Sequence, residues 1–372
     1  MLKKTICFLT VLLCITVSGT DVCALDADDL SAASAVLYYP DGGEILFEKN
    51  CKERRSMAST TKIMTSLLAL EQSFPFMTTV ITAEMVNVEG TSSGLREGDE
   101  IAIRDLVYCM MLESGNDAAN AVALTLADSF EDFAVMMNQR AAEIGMADTS
   151  FVTPSGLDDE NHYTTAYDMA LLAAEAIKDK DFVQISSCEK YTVDFVSSDK
   201  SVTLYNHNKL LSMYDGCTGV KTGFTKKSGR CLVSAAERNG VTLVAVTLCA
   251  GDDWNDHIRM FDYGFSLFGR AEADCDFSSY SVPVTGGDIS SVAVQGEECM
   301  LDVIGQDAEI TRQICLEKFL YAPVEKGDIV GYAQYQCNGR VIKTIPLTAA
   351  SGAGVKEYKN IFDRLFCLSD RW

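Results

Sequence analysis

Hydrophobic and polar positions change their period along the chain. Residues 34–48 (SAVLYYPDGGEILFE) read as two strands around an Asp-Gly-Gly turn, which predicts a hairpin. From Ser59 the pattern becomes helical, and Ile63 to Leu70 (IMTSLLAL) reads as the inside of a buried helix. Residues 103–145 predict two or three helices broken near Leu-Glu-Ser-Gly-Asn-Asp. Residues 150–164 (SFVTPSGLDDENHYT) predict a long polar loop, and 165–178 a further helix. Residues 217–225, 230–236 and 241–248 then read as strands, the last two joined by a tight turn at Arg238-Asn239-Gly240. Residues 257–268 predict a closing helix. Strands, a helical block and strands again predict a single sheet drawing on both ends of this region, with helices against it: an α/β (α+β) architecture over 27–270.

Composition shifts at 270–280 (RAEADCDFSSY). Beyond it Gly, Val and Thr alternate with polar residues, and GYAQYQCNGRVIKTIPL reads as a second Asn-Gly hairpin, so 275–350 predict a small all-β domain. In the tail, 354–372, Tyr358, Ile361, Phe362, Leu365 and Phe366 fall at helical spacing, which predicts an amphipathic helix. At the other end, Lys3 and Lys4 precede an apolar run from Thr5 to Val17, and Val22-Cys23-Ala24 offers small residues for cleavage. Residues 1–24 therefore read as a secretory signal peptide, and the protein as exported.

The net charge of −22 makes nucleic acid a poor partner. Of the 14 cysteines, Cys7, Cys14 and Cys23 lie in the leader, which leaves an odd number at irregular spacing with no Cys-x-x-Cys pair. This is neither a small disulfide scaffold nor a zinc ribbon, and most of these cysteines are expected to be buried free thiols.

One residue is out of keeping with its element. Lys62 stands three residues after Ser59, in the first turn of the predicted buried helix. A capping box wants Glu or Gln there, because a helix start is positive, so a lysine has the wrong sign. Residues i and i+3 share a helix face, so the Ser59 hydroxyl and the Lys62 amine can meet. A serine needs a base to become a nucleophile, and a lysine whose pKa is lowered by burial and nearby positive charge can be that base. Ser-x-x-Lys alone is weak evidence: Ser187-Lys190 and Ser197-Lys200 repeat it in polar stretches that read as solvated surface. Two further elements strengthen it. Ser114-Gly115-Asn116 falls at the break between helices, where it can also be a turn capping a helix from Asp117. Lys221-Thr222-Gly223 lies in a predicted strand, followed by Phe224 and Thr225, where the lysine can also be a solvated residue of an edge strand. Ser-x-x-Lys, Ser-x-Asn and Lys-Thr-Gly in this order form the motif set of penicillin-recognising serine acyl-enzymes.

On these residues the chain resembles the low-molecular-mass penicillin-binding proteins that are serine-type D-alanyl-D-alanine carboxypeptidases, peptidase family S11. The resemblance runs from about residue 27 to about 350. It also takes in GLDDENHYTTAYDMALLA (156–173), NHNKLL (206–211), TGVKTGFTKKSGRCLVSAA (218–236), DDWNDHIRMFDYGF (252–265) and YAPVEKGDIVGYAQY (321–335). It implies a transpeptidase fold of the penicillin-binding and β-lactamase kind, with an antiparallel sheet, a helical subdomain and a small C-terminal β domain.

It implies a peptidoglycan stem peptide ending in D-Ala-D-Ala as substrate and β-lactams as covalent inhibitors. Ser59 would attack, Lys62 would take its proton, and Ser114 would pass a proton to the departing D-alanine. Lys221 would hold Ser114 and lower the pKa of Lys62, and Asn116 would bond the substrate amide or Lys62. Thr222 and Thr225 would bond the terminal carboxylate, and the backbone N–H groups of Ser59 and Phe224, the latter after Gly223, would hold the oxyanion. No metal or organic cofactor is implied. Some relatives present an Arg near the substrate carboxylate where this chain has DDWNDHIR, which leaves His257 and Arg259 as candidates and a structural role for His257 as the plainer reading.

Rival readings stay open at this point. A β-lactamase shares the motif logic, but no Glu-x-x-Leu-Asn stands between 150 and 180. A D,D-endopeptidase would use the same site. A non-enzymatic cell-wall-binding or β-lactam-sensing protein would be favoured by a missing motif residue, and none is missing. The tail can lie on a membrane surface or pack on the β domain.

Overall fold

The computed structural model describes residues 9–13, 24–74, 76–196, 199–304, 310–337 and 339–357. The chain forms two units: residues 23–265, and residues 266–372 together with 1–22.

The sheet of the first unit is antiparallel throughout. Its strand order is Glu44–Lys49, Ser34–Tyr39, Val241–Ala250, Gly229–Arg238, Cys217–Thr225. The expected single sheet from both ends of the region is therefore present, and the Lys-Thr-Gly strand is one of its edges. Asn239 and Gly240 take φ of 56° and 84°, as the tight turn between the last two long strands requires.

Both faces of this sheet are covered. Val36, Tyr38, Val244 and Val246 belong to the main core with the helical block. Leu37 and Leu243 point the other way, where a side chain on Gly264 would meet them at 2.6 and 2.7 Å. The helix Asp253–Ser266 therefore packs tightly on that second face. Double coverage explains the nearly unbroken apolar reading of Val241–Leu248, since neither set of alternating side chains meets water.

Lys62–Gln72 is the central helix, and every residue from Lys62 to Ala69 is buried. Around it stand Ile103–Leu112, Asn116–Leu126 and Ala166–Ala176. Phe130–Ile144 lies outermost and buries only Phe133, Met137 and Ala141, spaced by four, on one stripe. Ser129 caps its start by accepting the Asp132 N–H, and Gly145 ends it at φ 93°. The closing helix begins at Asp253, four residues before the position its apolar spacing suggests, because Asp253 and Asp256 are themselves buried.

The second unit is built on a seven-stranded sheet that includes Ser281–Thr285, Ser291–Gln295, Ile310–Leu316, Ile329–Cys337 and Arg340–Ala349. Val282, Val284, Val292, Val294, Ala333 and Leu347 point into its core, as strict alternation predicts. Of the apolar run read as a leader, only Leu9–Leu13 falls among the described residues, as an edge strand antiparallel to Ile310–Ile314. Of the helix expected over 354–372, the first four residues are described and are not helical, Val355 forming an antiparallel bridge with Gly287; residues 358–372 lie outside the described residues. Among the described residues no helix is long and apolar enough to cross a membrane.

Ten described cysteines are free thiols, but only Cys51, Cys109, Cys231 and Cys337 are buried, so the expectation that most would be buried is corrected. Cys188, Cys217, Cys275, Cys299 and Cys315 sit on half-covered surfaces, and Cys249 is exposed.

Candidate active site

The serine is held by an irregular turn rather than by a cap. Ser59 lies within a 3₁₀ turn, Ala58–Thr61, that leads into the helix beginning at Lys62, and its side chain caps no N–H. Ala58, just before it, has φ 49°, a left-handed conformation that costs an alanine roughly 1–2 kcal/mol. Ser114 is likewise left-handed, at φ 62°, in the break between Ile103–Leu112 and Asn116–Leu126. The second of these helices starts at Asn116 with Gly115 at its N-cap, so the motif itself turns the corner and the start expected at Asp117 moves back by one residue. A side chain at Gly115 would meet Ser93 Oγ at 1.9 Å and Asp117 Oδ1 at 2.7 Å. A left-handed residue thus precedes one motif serine and the other is itself left-handed, the kind of local strain that active sites often hold.

Lys62 is fully buried. Its Nζ donates to Ser59 Oγ at 3.0 Å, to Asn116 Oδ1 at 2.7 Å and to the Ser155 carbonyl at 2.7 Å. Burial holds its pKa well below the ordinary lysine value, the charge of Lys221 lowers it further, and Asp117 opposes both. In the neutral amine two N–H groups suffice for the two carbonyl oxygens. The lone pair is then left for the Ser59 hydroxyl, which is the arrangement a general base needs. The Asn116 amide is fixed from its other end, where Nδ2 donates to the Glu89 carbonyl at 2.6 Å.

Lys221 stands on the edge strand but is only 1% exposed, so it is not the solvated lysine of an ordinary edge. Burial pushes its pKa down to about 7. Its described hydrogen bond goes to the Thr222 carbonyl at 3.0 Å. No described bond joins it to Ser114, so the direct link expected between them is absent among the described hydrogen bonds. Gly223 explains itself by distance: a side chain there would put its first carbon 3.1 Å from the backbone nitrogens of Ser59 and Thr60. The strand and the serine turn approach so closely that a side chain there would press the turn back by a few tenths of an ångström.

A cleft of about 520 Å³ opens above these groups, lined by Ser59, Thr91, Ser114, His207, Thr222, Gly223, Phe224, Arg230, Asp253 and Trp254. Lys62, Asn116 and Lys221 lie buried. Thr225 is not on the cleft wall. Its hydroxyl is tied to Asp158 Oδ1 and Ser228 Oγ, each at 3.0 Å, in the turn after the strand. The hydroxyl expected to meet the carboxylate is thus held within the protein, by Asp158 and by Ser228 of the turn after the strand.

The cation near the cleft is also not one the sequence suggested. His257 is fully buried between Ser234 Oγ and Thr247 Oγ1, at 2.8 and 3.0 Å, and burial pushes its pKa down to about 3, so it is a neutral structural residue. Arg259 reaches the Asp29 carbonyl and Asp256. Instead Arg230, opposite Phe224 on the neighbouring strand, lines the cleft. It is bound by Asp253 and stacked over Trp254 at 5.5 Å. The sequence signal was present in Arg230 and in the Asp253-Trp254 pair, but only cross-strand register joins them. Of the other two Ser-x-x-Lys lysines, Lys190 is exposed as expected, whereas Lys200 is half-buried over the Phe195 ring and paired with Asp99 at 2.6 Å.

The profile described as D-alanyl-D-alanine carboxypeptidase, peptidase S11, matches residues 21–252. The chain belongs to this family of serine peptidases. Residues 278–353 match the C-terminal domain of penicillin-binding protein 5. The D-alanyl-D-alanine carboxypeptidase DacF of Bacillus subtilis (strain 168) is 32% identical over 336 residues, covering 86% of this chain and 85% of that protein. DacC of Escherichia coli (strain K12), also a D-alanyl-D-alanine carboxypeptidase, is 31% identical over 348 residues, covering 87% of this chain and 84% of its own. The crystal structure of the Streptomyces K15 DD-transpeptidase superposes with a TM-score of 0.62 at 31% identity, covering 64% of this chain and 98% of that one. The serine carboxypeptidase expected from three short motifs, its transpeptidase fold and its C-terminal β domain are therefore those of the family.

Proposed function

We propose that the cleft removes the terminal D-alanine from peptidoglycan stem peptides ending in D-Ala-D-Ala, through an acyl-enzyme on Ser59. One observation carries this reading: a fully buried lysine whose two carbonyl partners leave its lone pair for a serine hydroxyl 3.0 Å away. Lys62 takes the Ser59 proton as Oγ attacks the penultimate carbonyl. The N–H groups of Ser59 and Phe224 hold the oxyanion. Ser114 hands a proton to the leaving D-alanine amine, and water, activated through Lys62, hydrolyses the ester. Lys221 keeps Lys62 neutral by its charge, and Asn116 orients it. Thr222 and Arg230 receive the terminal carboxylate, with Asp253 and Trp254 fixing the guanidinium plane; Arg230 takes the part first sought in His257 or Arg259. β-Lactams acylate the same serine. We further propose export with residues 1–24 as leader, action at the outer face of the cytoplasmic membrane or in the cell wall, a catalytic domain over 27–270 and a separate β domain over 275–350.

The test is fluorescent penicillin labelling of wild type beside Ser59→Ala, followed by mass spectrometry of a diacetyl-Lys-D-Ala-D-Ala digest. Labelling that vanishes in the variant, with one D-alanine released by wild type, is expected. Labelling without release would replace the reading by a cross-link endopeptidase or a sensor. Unlabelled wild type with intact penicillin would end it.

A further inference from the structure

The loop 150–164 reads as polar connection, yet it packs against the turn that carries the nucleophile. Its Ser155 carbonyl accepts from Lys62, and its Pro154 carbonyl accepts from Thr65 Oγ1 at 2.6 Å. Gly156, at φ 87°, lies so close that a side chain there would meet the Ala58 carbonyl oxygen at 1.9 Å. Behind the turn lies His162, 3% exposed and edge-on to Phe151.

The hydrogen bonds set the direction of donation. His162 Nδ1 accepts the Val152 N–H at 3.0 Å, so that nitrogen carries no proton. Nε2 therefore does, and it donates to Thr61 Oγ1 at 2.8 Å. With its lone pair so engaged, the Thr61 hydroxyl sends its own proton to the Ala58 carbonyl at 2.8 Å. Ala58 is the left-handed residue immediately before Ser59. Burial pushes the His162 pKa down to about 4, against the opposing pull of Asp159 and Asp158, so the ring stays neutral at any pH near neutrality.

We propose that His162 is a positioning residue for the nucleophile, holding Ala58 left-handed through Thr61 and so setting Ser59 Oγ against Lys62. The proposal rests on the acyl-enzyme reading above. His162 touches no reacting atom; it acts through the backbone, where small misplacements are expensive in rate.

The experiment compares wild type, His162→Leu, Thr61→Val, Ala58→Gly and the double variant His162→Leu/Ala58→Gly as full chains. The readouts are the second-order rate of acylation by a fluorescent penicillin, the deacylation rate and the thermal midpoint. His162→Leu and Thr61→Val are each expected to slow acylation roughly 10- to 100-fold, with the label still on Ser59. Ala58→Gly is expected to restore most of that loss in the double variant, because glycine adopts a positive φ without the network's support. His162→Gln, which keeps one donor and one acceptor, should fall between wild type and His162→Leu.

Acylation by a folded His162→Leu within twofold of wild type would overturn the proposal. So would an equal loss from His162→Leu whether Ala58 is intact or replaced by Ala58→Gly, which would make the histidine a packing residue only. If His162→Leu does not fold, Thr61→Val, which keeps the volume and deletes the hydroxyl, carries the same comparison. Failure of the acyl-enzyme reading itself would show separately, as unlabelled wild type.

Discussion

The two units bury different things. Among the described residues, the first encloses Lys62, Lys221, Asp117, Asp168, Asp253, Asp256, His162 and His257, all more than nine-tenths buried. The second encloses one such group, Arg312, which bonds the Asp274 and Asp276 carbonyls and the Asp274 carboxylate. Within the first unit the carboxylates are well satisfied. Asp117 accepts from Ser92 Oγ and from the N–H groups of Ser93, Leu95 and Ala118. Asp256 ties down Ser31 and Ala32 with three bonds. The two lysines bond neutral oxygens instead, and no described ion pair includes either. A buried cation without a counter-ion is costly and shifts toward its neutral form. That imbalance, more than the number of buried charges, separates a site built for chemistry from a unit built for packing.

The largest test of this contrast is Lys62→Met, which keeps the volume of the buried chain and removes the base. Acylation by penicillin should fall by roughly 10³-fold, within the range a general base supplies, while the protein stays folded; a smaller drop than tenfold would deny Lys62 its role. Next comes pH. Acylation should rise as Lys62 loses its proton, with a midpoint below the ordinary lysine value. Because the Lys221 charge lowers the Lys62 pKa, Lys221→Gln should move that midpoint to higher pH. A midpoint that stays put, in rates normalised to each protein's plateau, would remove Lys221 from the electrostatics of the site. The smallest effect on chemistry is expected from the second unit. Leu347→Ala there should destabilise its sheet by roughly 2–5 kcal/mol in urea unfolding, with acylation within twofold of wild type. A large loss of acylation would mean that the two units do not divide the work as their interiors suggest.

Much of this was legible in the chain. The hairpins at Asp41-Gly42-Gly43 and Asn239-Gly240 follow from turn chemistry, and the doubly covered strand Val241–Ala250 from an unbroken apolar run. Ser59 and Lys62 meet because three residues of helix bring them to one face, a purely local fact. The second hairpin in the β unit and the alternation of Val282, Val284, Val292 and Val294 are local as well.

What sequence alone determined, then, is everything that short-range geometry controls: element types, tight turns, and the pairing of the serine with a lysine of the wrong sign for a helix start. Tertiary structure decided the rest. That Lys221 is buried on an edge strand depends on what covers the strand. That Arg230 is pinned by Asp253 depends on a cross-strand register and on where a helix begins. That Thr225 bonds Asp158, and that His162 reaches Thr61 across a loop, depend on chain segments separated by 67 and 101 residues. Local spacing carries no information about such pairs, because the free energy that brings them together belongs to the packing of the whole core.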